Sequence, residues 1–243
     1  VGSHLYDDMW DQNYRGIRNA HIILEELDEA GISDSDKELI EAEARFIRAI
    51  AYYNMYLWFG PVPLRTSSDQ ELELPRADEQ ELINFIESEL LASIPELPNT
   101  GQEKAWGRAH KGAARGYLTK LYLHTKQWQK CADMAEEIIN SDDFALFPSY
   151  FGLFQVANER NEEIVWVRTS KADLGRTFNI SFMNFAWPTG FKSNPRTGLE
   201  FCEGCRNFAT MYRLHDDFWL SFEEDDARTD LIIREYVNTA GDT

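Results

Sequence analysis

Residues 43–64 read Glu-Ala-Arg-Phe-Ile-Arg-Ala-Ile-Ala-Tyr-Tyr-Asn-Met-Tyr-Leu-Trp-Phe-Gly-Pro-Val-Pro-Leu, and this stretch decides the fold. Apolar side chains recur at helical spacing in two neighbouring stripes, formed by Phe46, Ile50, Tyr53 and Leu57 and by Ile47, Ala51, Tyr52 and Met55. One packing partner cannot cover both stripes, so we predict a helix that is buried on several faces. Gly60 and Pro61 end it, because glycine suits a C-terminal cap and proline cannot continue a helix.

A second amphipathic pattern precedes this helix. Apolar residues at three- and four-residue steps predict a helix over residues 7–27. A polar break follows, after which Ser35 or Asp36 can cap the helix that runs from about residue 37 to residue 59. The short connection predicts that the two helices pair as an antiparallel hairpin.

Three more helices are predicted downstream. Asp78 provides a cap for a third helix that ends before Pro95, and a fourth covers about residues 109–125. The fourth contains Gly112, Ala113, Ala114 and Gly116, small residues that would let a neighbouring helix approach closely. A fifth begins at Trp128, after a turn. This arrangement is typical of tetratricopeptide-like helix pairs, of which we expect two to three.

The pattern changes after residue 140. Residues 144–147 and 163–168 are predicted to be short extended segments, and the chain between 169 and 215 mixes aromatic residues, glycine and proline without a clear period. The prediction is therefore a mainly α protein, with a helical-repeat part over 7–140 and a loop-rich part with short strands over 141–243.

Composition narrows the classes of partner. The 243 residues include 24 basic and 42 acidic ones, which give a net charge of −18. Such a charge repels nucleic acids and anionic lipid headgroups, so nucleic acid is excluded as a partner. No window reaches the roughly 18 consecutive apolar residues of a membrane span. Three cysteines are too few for a disulfide-stapled scaffold.

The phrase in residues 43–64, Glu-Ala-Arg-Phe-x-Arg-Ala-x-x-Tyr-Tyr followed by Phe-Gly-x-Val-Pro-Leu, resembles that of the SusD/RagB-like glycan-binding lipoproteins. Later phrases at residues 135–141, 161–165 and 218–228 are similar to those of the same family, in the same order. The resemblance covers about residues 10–235.

The resemblance implies a cell-surface protein of polysaccharide utilisation and nutrient uptake. Such a protein sits at the outer membrane, lipid-anchored in its full-length form through an anchor that is not present in this chain. It captures an oligosaccharide or polysaccharide and delivers it to a TonB-dependent, SusC-type transporter. Family members are longer, so residues 1–243 are expected to form one partial SusD-like domain, from a fragment or a truncated relative.

Candidate ligand-binding residues come from residue type and setting, since no family motif transfers a binding position. Aromatic faces stack on sugar rings, while amide and guanidinium groups bond the hydroxyls. The loop over 182–196 offers both kinds of group, which are Asn184, Trp187, Phe191, Asn194 and Arg196. The alternative is that Trp187 and Phe191 only seal the helical layer.

Other conspicuous residues have structural explanations. Trp10 lies on a helix stripe and is predicted to be core, and Trp58 and Phe59 are predicted to be structural as well. Arg45 and Arg48 are predicted to form ion pairs or to cap packed helices.

Catalytic and metal sites are not predicted. Cys202 and Cys205 have redox or half-zinc spacing with His215 as a distant third ligand, but a local disulfide or two free thiols are favoured. The acidic run 223–226 is interpreted as a solvated face. No phosphate-binding, metalloprotease or nucleophile-elbow motif occurs, so we expect no enzyme and no cofactor. Two alternatives stay open, a helical-repeat adaptor without a sugar ligand and, below it, a glycoside hydrolase.

Overall fold

The computed structural model describes the backbone of residues 4–71, 73–169, 188, 190–196, 198, 200 and 214–242, and side chains from residue 7 onward. The chain divides into two compact units. The first unit contains Val1–Ala145 and Glu162–Thr169, and the second contains Leu146–Asn161 and Ser170–Thr243.

The first unit is a series of helices, each packed against the next. In chain order they are α1 (His4–Glu26), α2 (Asp34–Phe59), α3 (Glu79–Ser93), α4 (Lys111–His124) and α5 (Trp128–Ile139). A 3-10 helix, Leu27–Glu29, follows α1. The predicted mainly α class and the order of the predicted helices are confirmed.

Helix α2 is the centre of this unit. Its side chains Phe46, Tyr52 and Met55 are fully buried, and α1, α3 and α4 all contact the helix. The predicted burial on several faces is therefore confirmed. One face differs, since Ile47 and Trp58, eleven residues apart and thus on one side of the helix, stay exposed. Leu57 of the first predicted stripe is exposed as well, and the structural role predicted for Trp58 stays a prediction.

The ends of α2 follow from local hydrogen bonds. The Asp36 backbone N–H donates to the Ser33 hydroxyl oxygen, and the Ser33 hydroxyl donates to the Asp36 carboxylate at 2.7 Å. The N-cap is thus Ser33, not Ser35 or Asp36 as predicted, because Ser33 and Asp36 satisfy each other across the first turn. Gly60 ends the helix at φ 67° with its N–H bonded to the Tyr56 carbonyl, as predicted.

Two other helices begin at polar caps. The Asp78 carboxylate accepts from the backbone N–H groups of Gln80 and Glu81, which confirms it as the cap of α3. His110 caps α4, since its Nδ1 accepts from the Ala113 backbone N–H at 3.3 Å. That bond requires an unprotonated Nδ1.

A buried ionic network joins α1, α2 and α3. The Arg48 Nε donates to the Glu89 carboxylate at 2.6 Å, and the Arg45 Nη1 donates to the other oxygen at 2.8 Å. A second nitrogen of Arg48 lies 2.8 Å from His21 Nδ1, and His21 Nε2 lies 3.1 Å from the Arg65 carbonyl. The predicted ion-pairing roles of Arg45 and Arg48 are confirmed.

The glycines of α4 accept loops, not a helix. A Cβ at Gly112 would lie 2.7 Å from both the Phe144 ring and the Thr100 hydroxyl, and one at Gly116 would lie 3.1 Å from Val165. The predicted close approach of a neighbouring helix at these glycines was therefore wrong. They make room for side chains of the non-helical chain that crosses α4.

The two segments predicted to be extended form no strand. The Ala145 N–H of the first segment bonds to the carbonyl of Glu162, the residue just before the second segment, and this single bond is too little for a ladder. Side-chain packing holds the second segment, since the Trp166 ring meets Phe46 and Tyr117 edge to face. Trp10 packs similarly on Phe59, as predicted for core residues.

The second unit consists of short elements. In its described part they are α6 (Tyr150–Leu153), the 3-10 helix Val156–Asn158, β1 (Phe191–Ser193), α7 (Asp216–Trp219), the 3-10 helix Ala227–Leu231 and β2 (Val237–Asn238). The two strands pair antiparallel, with Phe191 opposite Asn238, and α6 packs against the 3-10 helix Ala227–Leu231. The loop-rich character with short strands is as predicted.

Candidate functional site

A cavity of about 480 Å³ opens within the second unit. The turn after β1, the chain following α7, the 3-10 helix Ala227–Leu231 and the chain before β2 each contribute to its wall. We call it the unit-2 cavity.

The turn after β1 is built by Asn194. Its side-chain oxygen accepts from the Arg196 backbone N–H, and its backbone carbonyl accepts from the Gly198 N–H, each at 2.9 Å. The Asn194 side chain is buried, so it shapes the wall mainly by holding this turn. Arg196 then ties the turn to the 3-10 helix, donating to the Thr229 carbonyl at 2.7 Å and pairing with Asp230 at 3.2 Å.

Two aromatic residues, Trp219 and Phe222, form another part of the cavity wall. Trp219 ends α7 and Phe222 follows it, with ring centroids 6.3 Å apart. The Arg234 guanidinium lies 4.4 Å from the centre of the Trp219 ring, and that of Arg228 lies 5.2 Å from the Phe222 ring. Each ring thus has a cation over one face. Arginine suits this contact because its guanidinium is flat as well as charged.

Asp226 fixes one of these two arginines. Its carboxylate accepts from the Arg228 Nε at 2.9 Å and also from the Arg228 backbone N–H, which caps the 3-10 helix. These hydrogen bonds lower the pKa of Asp226 to about 2. The Asp-x-Arg phrase of this chain is therefore a self-paired turn that orients Arg228 toward Phe222.

Three carboxylates complete the wall, those of Glu223, Glu224 and Glu235. All three residues are exposed, which for Glu223 and Glu224 agrees with the predicted solvated face, whereas Asp226 of the same run is only partly exposed and is bonded to Arg228. Acidic residues and the two arginines Arg196 and Arg234 therefore line the same space as two aromatic residues. This combination can bind a polyhydroxylated ligand, with rings for its apolar faces and polar groups for its hydroxyls.

The predicted site residues fall in three places. Asn194 and Arg196 line the unit-2 cavity. Phe191 is 2% exposed and packs on Tyr236, the residue before β2, so its burial is within the second unit and not against the helical layer of the alternative. Asn184 and Trp187 lie outside the described residues. The ligand-binding role of these five residues stays a prediction.

Sequence reasoning missed Trp219, Phe222 and Arg234. The available signal was the aromatic cluster Phe-Trp-Leu-Ser-Phe at 218–222, directly beside carboxylates and two arginines. The family resemblance and the acidic run beside it explain this cluster without a ligand, so the sequence alone does not single it out as a site.

The other candidates give no second site in the described chain. Cys202 and Cys205 lie outside it, while His215 caps α7 by accepting from the Asp217 N–H. Over the residues that the structure describes, no three Cys, His, Asp or Glu side chains are grouped so that they could hold a metal ion. Within the same residues, no helix is both long enough and apolar enough to cross a bilayer.

Sequence comparisons agree on one family. A SusD-like family model, described as starch-binding and associating with the outer membrane, matches residues 3–123. A SusD-like protein of Formosa agariphila is 32% identical over 163 residues, which cover 65% of this chain and 31% of the relative. The starch-binding protein SusD of Bacteroides thetaiotaomicron is 29% identical over 138 residues, covering 54% and 24%. The chain thus spans a third or less of the length of these relatives.

Solved structures agree with the sequence matches. A laminarin-binding SusD-like protein is 28% identical with a TM-score of 0.60, covering 65% of this chain and 36% of that one. A SusD-like protein of Bacteroides fragilis is 27% identical with a TM-score of 0.62, covering 69% and 34%. Surface glycan-binding protein A of Bacteroides uniformis shares the fold over 97% of this chain and 52% of its own, at 22% identity and a TM-score of 0.78. The matched range of the family model includes α2 and residues 43–64, and the relatives and solved structures agree with it, so the chain belongs to the SusD-like family.

Proposed function

We propose that this protein captures an oligosaccharide or polysaccharide at the cell surface and delivers it to a TonB-dependent, SusC-type transporter of the outer membrane. Family membership supports this proposal, since the family model is described as starch-binding and one related structure is a laminarin-binding protein. The observation that carries it is the unit-2 cavity, where aromatic rings and hydroxyl-binding groups border one space.

The chemistry of the cavity suits a sugar. The carbon–hydrogen faces of a pyranose are apolar and pack on aromatic rings such as those of Trp219 and Phe222. The hydroxyls need both donors and acceptors, which Arg234 and the carboxylates supply. Asn184 and Trp187 of the predicted loop stay proposed ligand-binding residues.

The delivery step needs a protein-docking surface, which we assign to the helical unit. The exposed face of α2 presents Ile47 and Trp58. Apolar side chains grouped on one helix face are typical of a protein contact, and the expected partner is the SusC-type transporter. Addition of purified transporter should capture the native chain, and Trp58→Glu should weaken that capture at least tenfold without changing glycan affinity.

The first experiment is a binding panel. Soluble starch, laminarin, dextran and xyloglucan are tested by affinity electrophoresis and then by calorimetry. We expect at least one of them to bind, with at least a tenfold loss for Trp219→Ala. Trp187→Ala tests the predicted loop in the same assay, and Trp128→Ala, which alters an exposed tryptophan in the helical unit, is the matched control.

Binding without reaction is the second part of this test. Reducing ends are measured during long incubation with each bound glycan, and we expect no increase over glycan alone. Release of reducing ends that disappears in a glutamate-to-glutamine variant of the cavity would favour the hydrolase alternative. Failure to bind any glycan, with transporter capture intact, would favour the adaptor alternative.

A further inference from the structure

Arg234 is the cavity's available hydrogen-bond donor. Its guanidinium is held over the Trp219 ring at 4.4 Å, and within the described part of the chain it has no ion pair and no hydrogen bond. A guanidinium over an indole is held by its charge and its flat shape, so the contact with the ring does not use up its N–H donors. These donors are therefore positioned by the protein but not used by it.

The neighbouring arginines differ from Arg234. Arg196 is paired with Asp230 and bonded to the Thr229 carbonyl, while Arg228 is held by both oxygens of Asp226. A ligand that used either arginine would compete with an existing carboxylate. Arg234 has no such competitor among the described residues, so its donors are the ones that a ligand can use without loss.

Acceptors outnumber available cations in this cavity. Glu223, Glu224 and Glu235 line it, and in the described structure none of their carboxylates is ion-paired. Because Arg196 is already neutralised by Asp230, three carboxylates stand against the single charge of Arg234. The cavity is therefore net negative, in a chain whose net charge is −18.

We propose, building on the glycan-binding function above, that the unit-2 cavity selects uncharged glycans and that Arg234 is its main hydroxyl-binding donor. A neutral sugar satisfies both kinds of group, since each hydroxyl can accept from Arg234 and donate to a glutamate. A uronic acid or a sulfate ester satisfies Arg234 but meets three like charges, which discriminates against it. The cavity thereby separates neutral from acidic polysaccharides.

The test uses glycans that differ only in charge. Soluble starch, laminarin and dextran are each compared with a carboxymethyl derivative prepared from the same polymer, by calorimetry at 50 mM NaCl. For whichever polymer binds, we expect at least tenfold weaker binding of the derivative. Raising NaCl to 500 mM should narrow this difference by screening, and should change the affinity for the neutral polymer less than twofold.

Two sets of variants test which residues produce the discrimination and which produce the affinity for neutral glycans. Replacing Glu223, Glu224 and Glu235 together by glutamine should reduce the discrimination to threefold or less. Arg234→Ala should weaken neutral-glycan binding about tenfold, and Arg234→Lys should recover only part of it, because lysine lacks the planar fork. Arg115→Ala, which removes an ion pair with Glu137 in the helical unit, is the control and should change neither affinity.

The outcomes separate the two proposals. Equal or tighter binding of the carboxymethyl polymer, or unchanged neutral-glycan affinity in Arg234→Ala, would overturn the selectivity while glycan binding itself stands. Absence of binding to every neutral and charged polymer would overturn the glycan-binding function and the selectivity with it. Circular dichroism of each variant confirms that the fold is retained.

Discussion

The two units use their arginines in opposite ways. In the helical unit, the buried Arg48 and the partly exposed Arg45 both bond to the buried Glu89, so these charges are compensated by a carboxylate of the fold. In the second unit, Arg234 lies over Trp219 at an open cavity and is not compensated by any carboxylate of the described chain. Charged groups of the first kind hold a structure together, whereas those of the second kind are available to a ligand.

This difference extends to the backbone. The helical unit satisfies its main-chain groups within long helices that pack on one another. The described part of the second unit relies on short helices, a two-stranded pair and side-chain caps such as Asn194 and Asp226. Substitutions should therefore change stability in the first unit and affinity in the second.

The largest expected effect is on the buried network. Arg48→Ala leaves the Glu89 carboxylate buried without one of its two partners, and should lower the free energy of unfolding by about 3–5 kcal/mol. Urea denaturation followed by circular dichroism measures this change. A double variant, Arg48→Met with Glu89→Leu, should recover part of the loss, because it removes the buried pair and keeps the volume, while Arg45 keeps its bond to Glu41.

The exposed control for this prediction is Arg115→Ala. Its ion pair with Glu137 lies at the surface, so the expected change is about 0.5 kcal/mol or less. Equal losses for Arg48→Ala and Arg115→Ala would show that burial does not distinguish the two pairs.

A smaller effect, of unusual sign, is expected at Gly112. Glycine to alanine inside a helix normally stabilises by about 0.5–1 kcal/mol. At Gly112 the new Cβ would lie 2.7 Å from the Phe144 ring and the Thr100 hydroxyl, so we expect a loss of about 1–3 kcal/mol instead. Gly16→Ala in α1 is the matched control, because no atom lies within 4 Å of its added Cβ.

Thermal and urea denaturation of the two variants should thus give opposite signs. If Gly112→Ala stabilised the chain as much as Gly16→Ala, the loops that cross α4 would not be packed as tightly as the structure has them.

Lowering the pH should reduce the free energy of unfolding through His21 and His110 of the helical unit. Burial and the charge of Arg48 lower the pKa of His21, and burial lowers the pKa of His110. Below about pH 6.5 the unfolded chain takes up protons that these folded histidines refuse, so stability falls as the pH drops. The loss should reach at most about 1.4 kcal/mol per pH unit for each histidine.

Denaturation at pH 7.5 and 5.5 measures this loss. His110→Asn removes one titrating group but keeps a good helix cap, and His21→Gln keeps an acceptor and a donor. Each variant should reduce the difference in stability between the two pH values. An unchanged difference in both would assign the pH dependence to other groups.

The helical unit could be predicted from the sequence because its signal is periodic. The stripes around Phe46 and Tyr52 required burial on several sides, and Gly60 marked the end of α2 without further information. The cap was misplaced by two or three residues since Ser33, Ser35 and Asp36 are all capping types, and only the geometry of the turn selects among them.

The cavity could be predicted only in part. Asn194 and Arg196 were found by residue type within an irregular segment, but Trp219 and Arg234 lie fifteen positions apart in a stretch of chain without a period. Their contact depends on how the chain after α7 folds around the 3-10 helix Ala227–Leu231, which no local pattern encodes. The same limit explains the wrong prediction for the glycines of α4. The sequence shows that small residues are present there, but not which side chains pack against them.

The smallest expected effect on stability is that of Arg234→Ala. Its guanidinium is exposed and unpaired in the described chain, so its removal should change the melting temperature by less than about 2 °C. Arg48→Ala removes the same side-chain type from the helical unit and should lower the melting temperature by several times as much. A large loss of stability in Arg234→Ala would mean that this arginine supports the second unit as Arg48 supports the first. The distinction between compensated and available arginines would then fail, because Arg48 and Arg234 would both serve mainly to stabilise the fold of their unit.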